Sequence, residues 1–360
     1  MQTRIVKPKT PAEIASAAAQ GAEVLRRGGL VGFPTETVYG VAAAADVPEG
    51  LERLRDLKDR PERPFGVHLP GPEAAGRYVG AMPLVAQRLI RRAWPGPVTL
   101  VLPTGGRLAE EALQNAGLYE TLCYEGTIGL RCPDEPSASA MLGKMAGPVV
   151  AASANLKGMP SPRDGWEVLA ALDGRIDLLI DTGATRYRGD STIVQVDASG
   201  WKVLRVGAYD EEALRTMAGV RLLFVCTGNT CRSPMAAGLA AAMAAGADVT
   251  VESAGLEAWA GEPAAANAML AVAELGGDIR EHASQNVTPQ LIRGADMIFC
   301  MTARHAAEVC RMDPGVRGRV RLLDGERDIP DPFGGSLEEY RITARQIKDA
   351  LDRRAKEGWT

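Results

Sequence analysis

The sequence is poor in the residues that build disulfide frameworks and metal sites. Its 360 residues contain only six cysteines and three histidines. No Cys-x2-Cys pair occurs, and His68, His282 and His305 are far apart in the chain. Scattered cysteines in a chain of this length are typical of reduced thiols in the cytoplasm. We therefore expect a cytoplasmic protein with neither disulfides nor a metal site.

Long apolar runs are also missing. No run approaches the roughly 20 residues that cross a bilayer, and the first residues lack the basic-then-apolar pattern of a secretion signal. We therefore expect no membrane partner. Hydrophobic residues make up 46% of the chain and charged residues 24%, which is typical of globular proteins. A chain of this length suffices for two domains with separate cores.

Apolar runs that alternate with helical patterns predict an α/β fold in the first half. A helix begins at Thr10-Pro11, where Glu13 completes a capping box. Buried strands are expected at residues 30–33, 98–102, 127–131, 149–152, 178–181, 192–196 and 202–206. A short polar helix at 210–217 marks the junction. We predict one domain at 1–208, a linker at 209–219 and a second domain at 220–360.

The second half alternates more regularly. Strands are expected at 221–226, 249–253, 295–301 and 319–323, with helices at 233–245, 263–275 and 303–311 and a last helix capped by Ser336 and Glu339. This order predicts an open, doubly wound parallel sheet, in which ligands bind at the carboxyl ends of the strands. Cys226 lies at such an end.

Cys226 begins the loop CTGNTCRS (226–233) between a buried strand and a helix. A helix N-terminus and a nearby cation can lower a thiol pKa to about 3.5–7.5, so we expect a thiolate. Backbone N–H groups and the guanidinium of Arg232 can hold phosphate oxygens, and Ser233 can donate to the sulfur. Asp331, on the glycine-rich loop DPFGG, can supply the proton that a leaving group needs.

Residues 220–355 resemble the low-molecular-weight protein tyrosine phosphatases. The resemblance rests on this loop, on DPFGG, and on Ser253-Ala254-Gly255 and His282-Ala283-Ser284. It implies Cys226 as the nucleophile that forms a phosphocysteine, Arg232 as the phosphate ligand and Asp331 as the general acid. It also implies that Asn229 and Ser233 shape the loop and stabilise the thiolate. No cofactor is implied for this domain.

Thr230 occupies a position that is usually aliphatic in the tyrosine phosphatases. With Thr230 and DPFGG, the chain is more similar to the bacterial protein-arginine phosphatases, in which this threonine helps to hold the phosphoguanidinium group and to orient the attacking water. The resemblance makes Thr230 and Phe333 the expected specificity residues. A phosphorylated protein is the expected substrate, and phosphoarginine is favoured over phosphotyrosine without excluding it.

Three other cysteines have alternative interpretations. Cys231 is either a packed small residue or the partner in a protective disulfide with Cys226 under oxidation. Cys300 and Cys310 could form the relay of an arsenate reductase, which is another branch of this fold. A core cysteine is the favoured interpretation, because Cys300 lies in an apolar strand.

The first half contains an ordered series of short polar motifs near predicted strand ends. Turns, caps and solvated charge explain each motif taken alone. In their order and spacing they resemble the YrdC-like threonylcarbamoyl-adenylate synthases across about residues 3–208. The motifs are PTETVYG (34–40), KDRP (58–61), VH (67–68), WPGPVTL (94–100), GLRCP (129–133), SANLKGMPSP (153–162), DSTIV (190–194) and LR (204–205).

This second resemblance implies a twisted α/β domain with a concave, basic pocket. Its reaction joins L-threonine, bicarbonate and ATP, with Mg2+ accompanying ATP, into threonylcarbamoyl-AMP and pyrophosphate. That is the first step of N6-threonylcarbamoyladenosine formation in tRNA, so tRNA and the downstream threonylcarbamoyl transferase are further expected partners. The implied threonine-binding residues are Thr35, His68, Arg131 and Ser191. The implied ATP-binding residues are Lys58, Arg60, Thr127, Ser153, Asn155, Ser161 and Arg205.

Two alternatives accompany the synthase prediction. His68 could be a structural histidine, and the whole domain could bind nucleotide or RNA without catalysis. The chain departs from the family where the segment from Arg60 to His68 is short, where Phe65-Gly66 replaces an aliphatic pair, and where Lys157 replaces a common serine.

Overall fold

The computed structural model describes residues 2–60, 64–105, 117–325 and 327–357. The chain divides into two compact units, Met1–Met217 and Ala218–Thr360. A helix at Glu211–Ala218 occupies the predicted linker, and the finer boundaries at 208 and 220 stay a prediction. Among the described residues, no helix is both long enough and apolar enough to cross a membrane.

The first unit interleaves strands with short helices. All seven strands predicted for it are present, each within two residues of the expected ends. The elements are β1 (Arg4–Val6), α1 (Pro11–Arg26), β2 (Val31–Phe33), β3 (Gly40–Ala44), α2 (Pro48–Lys58), β4 (Gly66–His68), a 3-10 helix (Pro72–Arg77), α3 (Leu84–Ala93), β5 (Val98–Pro103), α4 (Leu118–Leu122), β6 (Cys123–Tyr124), β7 (Thr127–Arg131), α5 (Pro136–Leu142), β8 (Val149–Ser153), α6 (Gly165–Leu172), β9 (Leu178–Ile180), β10 (Thr192–Asp197), β11 (Gly200–Arg205) and α7 (Glu211–Ala218).

Four further strands, β1, β3, β4 and β6, are not predicted from the sequence. β3 consists of glycine, valine and three alanines, a composition with little intrinsic preference for strands. It forms because β2 and β8 flank it and supply backbone partners, with Phe33 opposite Gly40 and Gly40 opposite Ser153. β1, β4 and β6 have three residues or fewer, too short to show a period.

The strands of the first unit form one sheet. The order is β1-β9-β2-β3-β8-β4-β7-β5-β10-β11, with β6 paired to β7. Side chains alternate between the two faces of a strand. On one face of β4, β7 and β5, the side chains are apolar and buried. On the other face, His68, Arg131 and Thr99 form one row across the three strands. That face positions the first candidate site.

α1 begins as predicted. The hydroxyl of Thr10 accepts the N–H of Glu13 at 3.3 Å, and the carboxylate of Glu13 accepts the N–H of Thr10 at 3.0 Å. This reciprocal capping box satisfies two donors that the helix itself leaves open. The buried face of α1 packs with Phe33 and Met141 in one hydrophobic cluster.

The second unit contains a four-stranded, fully parallel sheet in the order β13-β12-β14-β15. It confirms the predicted doubly wound architecture, and two elements of the described residues are not predicted: the short helix at Pro289–Gly294 and the 3-10 helix at Pro314–Arg319. The elements are β12 (Val220–Cys226), α8 (Arg232–Met243), β13 (Val249–Gly255), α9 (Ala266–Ala273), α10 (Pro289–Gly294), β14 (Met297–Cys300), α11 (Ala303–Met312), a 3-10 helix (Pro314–Arg319), β15 (Val320–Leu322) and α12 (Leu337–Glu357).

The carboxyl end of β12 is the switch point of this sheet. After β12 the chain forms β13 on one side and later β14 on the other, which leaves a crevice at the end of β12. Alternate residues of β12 enter two hydrophobic clusters, with Phe224 in one and Val225 in the other. Cys226 is thus held at the end of a strand that is anchored on both faces.

Phe224→Ala is expected to destabilise the second unit by about 3–5 kcal/mol, the usual cost of emptying a buried phenylalanine site. Phe224 is fully buried and stacks on Phe299 with ring centroids 5.6 Å apart. Hydrogen exchange of the β12 and β14 amides measures this free energy. The matched control is Phe333→Ala, because Phe333 is 79% exposed; equal destabilisation by both variants would contradict the described core.

Candidate functional sites

The first site is centred on the guanidinium of Arg131, at the end of β7. Its Nη2 donates to Glu36 Oε1 at 3.0 Å, to Thr37 Oγ1 at 2.5 Å and more weakly to Thr35 Oγ1 at 3.4 Å. The side chains of Arg131 and Glu36 are 8% and 1% exposed. Burial lowers the pKa of Arg131, and Glu36 opposes that effect. A buried cation of this kind depends on its partner.

Glu36 is a residue of this site that the sequence interpretation misses. Its Oε2 accepts the N–H of Asp134 at 3.0 Å, and its backbone carbonyl accepts the N–H of Tyr187 at 2.8 Å. It therefore ties three loops together besides holding Arg131. The signal that could have found it is its place as the one acidic residue of the PTETVYG motif.

The Nε–H of Arg131 is free to donate another hydrogen bond. Its Nε lies buried without a hydrogen-bond partner in the part of the chain that the structure describes. Guanidinium groups have five N–H donors in a planar fork that suits carboxylates and phosphates. The arrangement can therefore bind an anionic group beside Thr35.

His68 stands next to this cluster. Its ring packs edge-on against Phe33 at 5.8 Å, and Nδ1 lies 3.2 Å from the carbonyl oxygen of Gly66. Burial, with the charge of Arg131 adding to it, lowers the pKa of His68 to about 3, so the ring is neutral at physiological pH. His68 is both packed and beside Arg131, and its structural and ligand-binding interpretations both stay open.

Ser191, Arg205 and Ser161 come together around Asp190. Arg205 Nη2 donates to the carbonyl of Ser191 at 2.8 Å and to its hydroxyl at 3.2 Å. Asp190 accepts from the Ser161 hydroxyl at 2.9 Å and lies 3.8 Å from Arg205. The Ser191 hydroxyl also lies 3.0 Å from that of Thr99, in the row that contains Arg131.

Lys58, Ser153 and Asn155 form a second group. The ammonium of Lys58 donates to the carbonyls of Ser153 and Asn155 at 2.9 and 2.6 Å and to Asn155 Oδ1 at 2.8 Å. Burial first, and Arg60 second, lower the pKa of Lys58 to about 8, while Asp190 opposes them. The guanidinium of Arg60 lies over the ring of Phe65 at 5.4 Å.

Thr127 is placed apart from these groups. Its hydroxyl donates to the carbonyl of Tyr124 at 2.7 Å, although strand alternation puts it on the same face of β7 as Arg131. Pro61 of the predicted KDRP motif, with Glu62 and Arg63, lies outside the described residues. Within the described ranges no group of three or more His, Cys, Asp or Glu could hold a metal ion.

The second site is the loop after β12, which Asn229 holds in shape. Asn229 has φ 54°, a left-handed conformation that asparagine tolerates better than most residues. Its amide donates to the hydroxyls of Ser233 and Ser253, both at 2.9 Å, and Oδ1 accepts the N–H of Gln285 at 2.9 Å. The Asn229 carbonyl lies 2.7 Å from His282 Nε2. These contacts fix the loop around the sulfur.

The Cys226 thiol receives the expected contacts. Its sulfur lies 2.9 Å from the hydroxyl of Ser233 and 3.2 Å from the N–H of Asn229. Burial is nevertheless the largest effect on its pKa and raises it, while Ser233, Asn229 and Arg232 act to lower it. The expected lowering of the pKa is thus wrong for this arrangement, because Cys226 is only 2% exposed.

Arg232 and Asp331, the expected phosphate ligand and general acid, form an ion pair. Arg232 Nη2 lies 2.5 Å from Asp331 Oδ2, and Nη1 donates to the carbonyl of Ile329 at 3.2 Å. The Arg232 side chain is 6% exposed, whereas that of Asp331 is 48% exposed. Arg232 Nε is buried without a partner among the described residues. A phosphate can therefore replace the Asp331 carboxylate beside Arg232 Nη2 and also accept a hydrogen bond from the Arg232 Nε–H.

The expected specificity residues lie in the loop after β12 and in the DPFGG segment. Thr230 is half-buried, and Phe333 is exposed two residues after Asp331. Trp259, which is 83% exposed, is a third candidate that the sequence interpretation misses. It follows Glu257, whose N–H donates to the carbonyl of Thr227 at 2.9 Å. A single tryptophan in a loop carries no pattern that distinguishes it.

The other cysteines are free thiols. Cys231 is packed, with its sulfur 3.1 Å from the hydroxyl of Tyr340, and its pairing with Cys226 under oxidation stays a prediction. Cys300 is fully buried in β14, and burial raises its pKa to about 12. This environment favours the core interpretation of Cys300 over a redox relay.

Ser233→Ala is expected to move the alkylation of Cys226 by iodoacetamide to higher pH. The Ser233 hydroxyl lowers the pKa of the thiol, so its loss raises that pKa and leaves less thiolate at any given pH. Peptide mass spectrometry of Cys226 labelling between pH 6 and pH 10 measures the shift. An unchanged or more acidic profile would show that Ser233 does not stabilise the thiolate.

Two family models match the chain. The Sua5/YciO/YrdC model, described as "Telomere recombination", matches residues 23–207. The model described as "Low molecular weight phosphotyrosine protein phosphatase" matches residues 221–357. The two matches do not overlap, and each falls within one compact unit.

Named relatives divide in the same way. A threonylcarbamoyl-AMP synthase of Bacillus subtilis is 35% identical over 56% of this chain and 56% of its own, so the chain spans about half the length of that relative. The low molecular weight protein-tyrosine-phosphatase Wzb of Escherichia coli is 36% identical over 36% of this chain and 95% of its own. Both names are those of enzymes.

A solved structure of a Pyrococcus abyssi Sua5 variant is also similar. It is 26% identical and covers 62% of this chain and 71% of its own, with a TM-score of 0.52. The chain is therefore a fusion that belongs to the Sua5/YciO/YrdC family in its first unit and to the low molecular weight phosphotyrosine protein phosphatase family in its second.

Proposed function

We propose that the chain carries two enzymes: a threonylcarbamoyl-AMP synthase in the first unit and a cysteine-dependent protein phosphatase in the second. One observation supports both proposals. Each unit buries a guanidinium, that of Arg131 or Arg232, whose Nε has no partner among the described residues. An unpaired buried donor is costly, and an anionic substrate group would satisfy it.

In the synthase, Arg131 binds the carboxylate of L-threonine, with Thr35 and Ser191 beside it. The threonine amine and bicarbonate give a carbamate with loss of water. A carbamate oxygen then attacks the α-phosphorus of ATP, and pyrophosphate leaves with the electron pair of the broken P–O bond. Lys58, Arg60 and Arg205 supply positive charge for the phosphates, so the protein contributes positioning and electrostatic stabilisation rather than a nucleophile.

Magnesium would enter this pocket on the phosphates of ATP. The described residues contain no cluster that would hold a metal by itself, whereas ATP-bound magnesium usually keeps only one or two protein ligands. The product, threonylcarbamoyl-AMP, is a reactive mixed anhydride. It is consumed when a transferase moves the threonylcarbamoyl group to an adenosine of tRNA.

Lys58→Ala is expected to reduce threonine- and bicarbonate-dependent pyrophosphate release at least about 100-fold, the usual cost of losing one charge-stabilising group. Mass spectrometry identifies threonylcarbamoyl-AMP as the product. Lys157→Ala is the matched control, because Lys157 is exposed and its ammonium pairs with the exposed Asp59. Full activity of Lys58→Ala would refute the assignment of the ATP site.

The rival function of this unit, binding without catalysis, gives a different result in the same assay. A wild-type chain that binds ATP, releases no pyrophosphate and binds RNA with an affinity that falls steeply with salt would be a binding module.

In the phosphatase, the N–H groups at the start of α8 and the Arg232 guanidinium bind the phosphoryl group. The Cys226 thiol, whose pKa is raised by burial, first loses its proton to water. The thiolate then attacks phosphorus in line, and Asp331 protonates the leaving group as that bond breaks. Water then attacks the phosphocysteine, with Asp331 accepting its proton, and phosphate leaves with the thiolate restored. Asp331 must first exchange its contact with Arg232 for the substrate, which its exposure permits.

Phosphoarginine in proteins is the proposed substrate, and the hydroxyl of Thr230 supports it. A hydroxyl can accept from the N–H groups of a phosphoguanidinium, which an aliphatic side chain cannot do. Thr230 is half-buried, and we infer that its hydroxyl meets the leaving group rather than the phosphate.

Thr230→Ile is expected to lower kcat/KM for a phosphoarginine peptide about tenfold and to leave that for a phosphotyrosine peptide unchanged or higher. One lost hydrogen bond to a charged group accounts for a change of this size. Phosphate release from the two peptides is measured side by side, with Cys226→Ser as the inactive control. A wild-type preference for phosphotyrosine that Thr230→Ile does not alter would contradict the proposed substrate.

A further inference from the structure

His305 is a buried histidine that no step above uses. It lies in the first turn of α11 and is 3% exposed. Its Nε2 lies 3.0 Å from the hydroxyl of Thr227, and its Nδ1 is buried without a hydrogen-bond partner in the described part of the chain. Burial, and then the charges of Arg232 and Arg304, lower its pKa to about 4, against Asp328 and Asp331. The ring is therefore neutral at physiological pH.

The unpaired Nδ1 indicates which nitrogen carries the proton. Orphaned buried N–H donors are rarer in proteins than acceptors with a free lone pair. The proton therefore belongs on Nε2, which donates it to Thr227 Oγ1. A hydroxyl that accepts this bond still has its own proton to give. The Thr227 hydroxyl can thus donate a hydrogen bond to another acceptor.

The backbone places Thr227 beside the nucleophile. Thr227 directly follows Cys226, is half-buried, and has its carbonyl fixed by the N–H of Glu257. His305 is held close to the end of the neighbouring strand β14. Thr302, two residues after that strand, caps α11, and its hydroxyl accepts the N–H of His305 at 3.3 Å. Both partners of the contact are therefore held before any substrate arrives.

We propose that His305 is a positioning residue, which turns the Thr227 hydroxyl so that it donates to the phosphoryl group bound at Cys226. Thr227 is then a further substrate-binding residue of the second unit. The proposal rests on the phosphatase function proposed above. Without this function, His305 would have only a packing role.

A double-mutant cycle tests the proposal. His305→Phe and Thr227→Val are each expected to lower kcat/KM for a phosphorylated peptide about tenfold, and the double variant no further, because one interaction is removed in all three. His305→Gln is expected to recover most of the loss, since its amide nitrogen can donate from a similar place. Thr250→Val, the same change at an exposed threonine of β13, is the control.

Binding of inorganic phosphate to the same variants is measured in parallel, because it needs no turnover. We expect the Kd for phosphate to rise in both single variants and no further in the double variant. Independent effects that multiply to about 100-fold would overturn it, as would an unchanged Kd in variants that only melt at lower temperature. A wild-type chain that binds phosphate with the expected pattern but hydrolyses no phosphorylated peptide would support His305 as a positioning residue and contradict the phosphatase function.

Discussion

A buried guanidinium is stable only with a partner beside it, and both sites are built around this constraint. In the first unit, Arg131 is held by Glu36, which is itself almost fully buried. In the second, Arg232 is held by Asp331, which is nearly half exposed. The first pair is a fixed part of the scaffold, whereas the second can exchange its carboxylate for a phosphoryl group. Both pairs leave Nε free of partners among the described residues.

The two sites use a buried guanidinium with a carboxylate partner for different chemistry. The first lies on one face of a large sheet, where side chains from several strands meet. The reaction proposed there requires no nucleophile from the protein. The second lies at one strand end, where Cys226, the loop and α8 form a compact anion site around a nucleophile. The residues of the two sites come from separate stretches of the chain.

Local patterns account for what could be predicted from the sequence. Alternation and capping identify α1, the seven predicted strands of the first unit and the parallel sheet of the second, because these signals lie within a few neighbouring residues. Such signals do not reveal β3, because its glycine and alanine residues form a strand only where β2 and β8 supply backbone partners. Glu36 and His305 were equally hidden, because their partners Arg131 and Thr227 are distant in sequence. The raised pKa of Cys226 follows from its burial, which a motif does not show.

We propose above all that each unit holds an arginine Nε–H, that of Arg131 or Arg232, which is free to bind an anionic ligand. Proton–nitrogen NMR of the arginine Nε–H signals tests it directly on the full chain. L-Threonine with ATP and bicarbonate should shift the Arg131 signal and leave that of Arg232 in place, and inorganic phosphate should shift the Arg232 signal. Saturating ligands that move neither signal would contradict the claim.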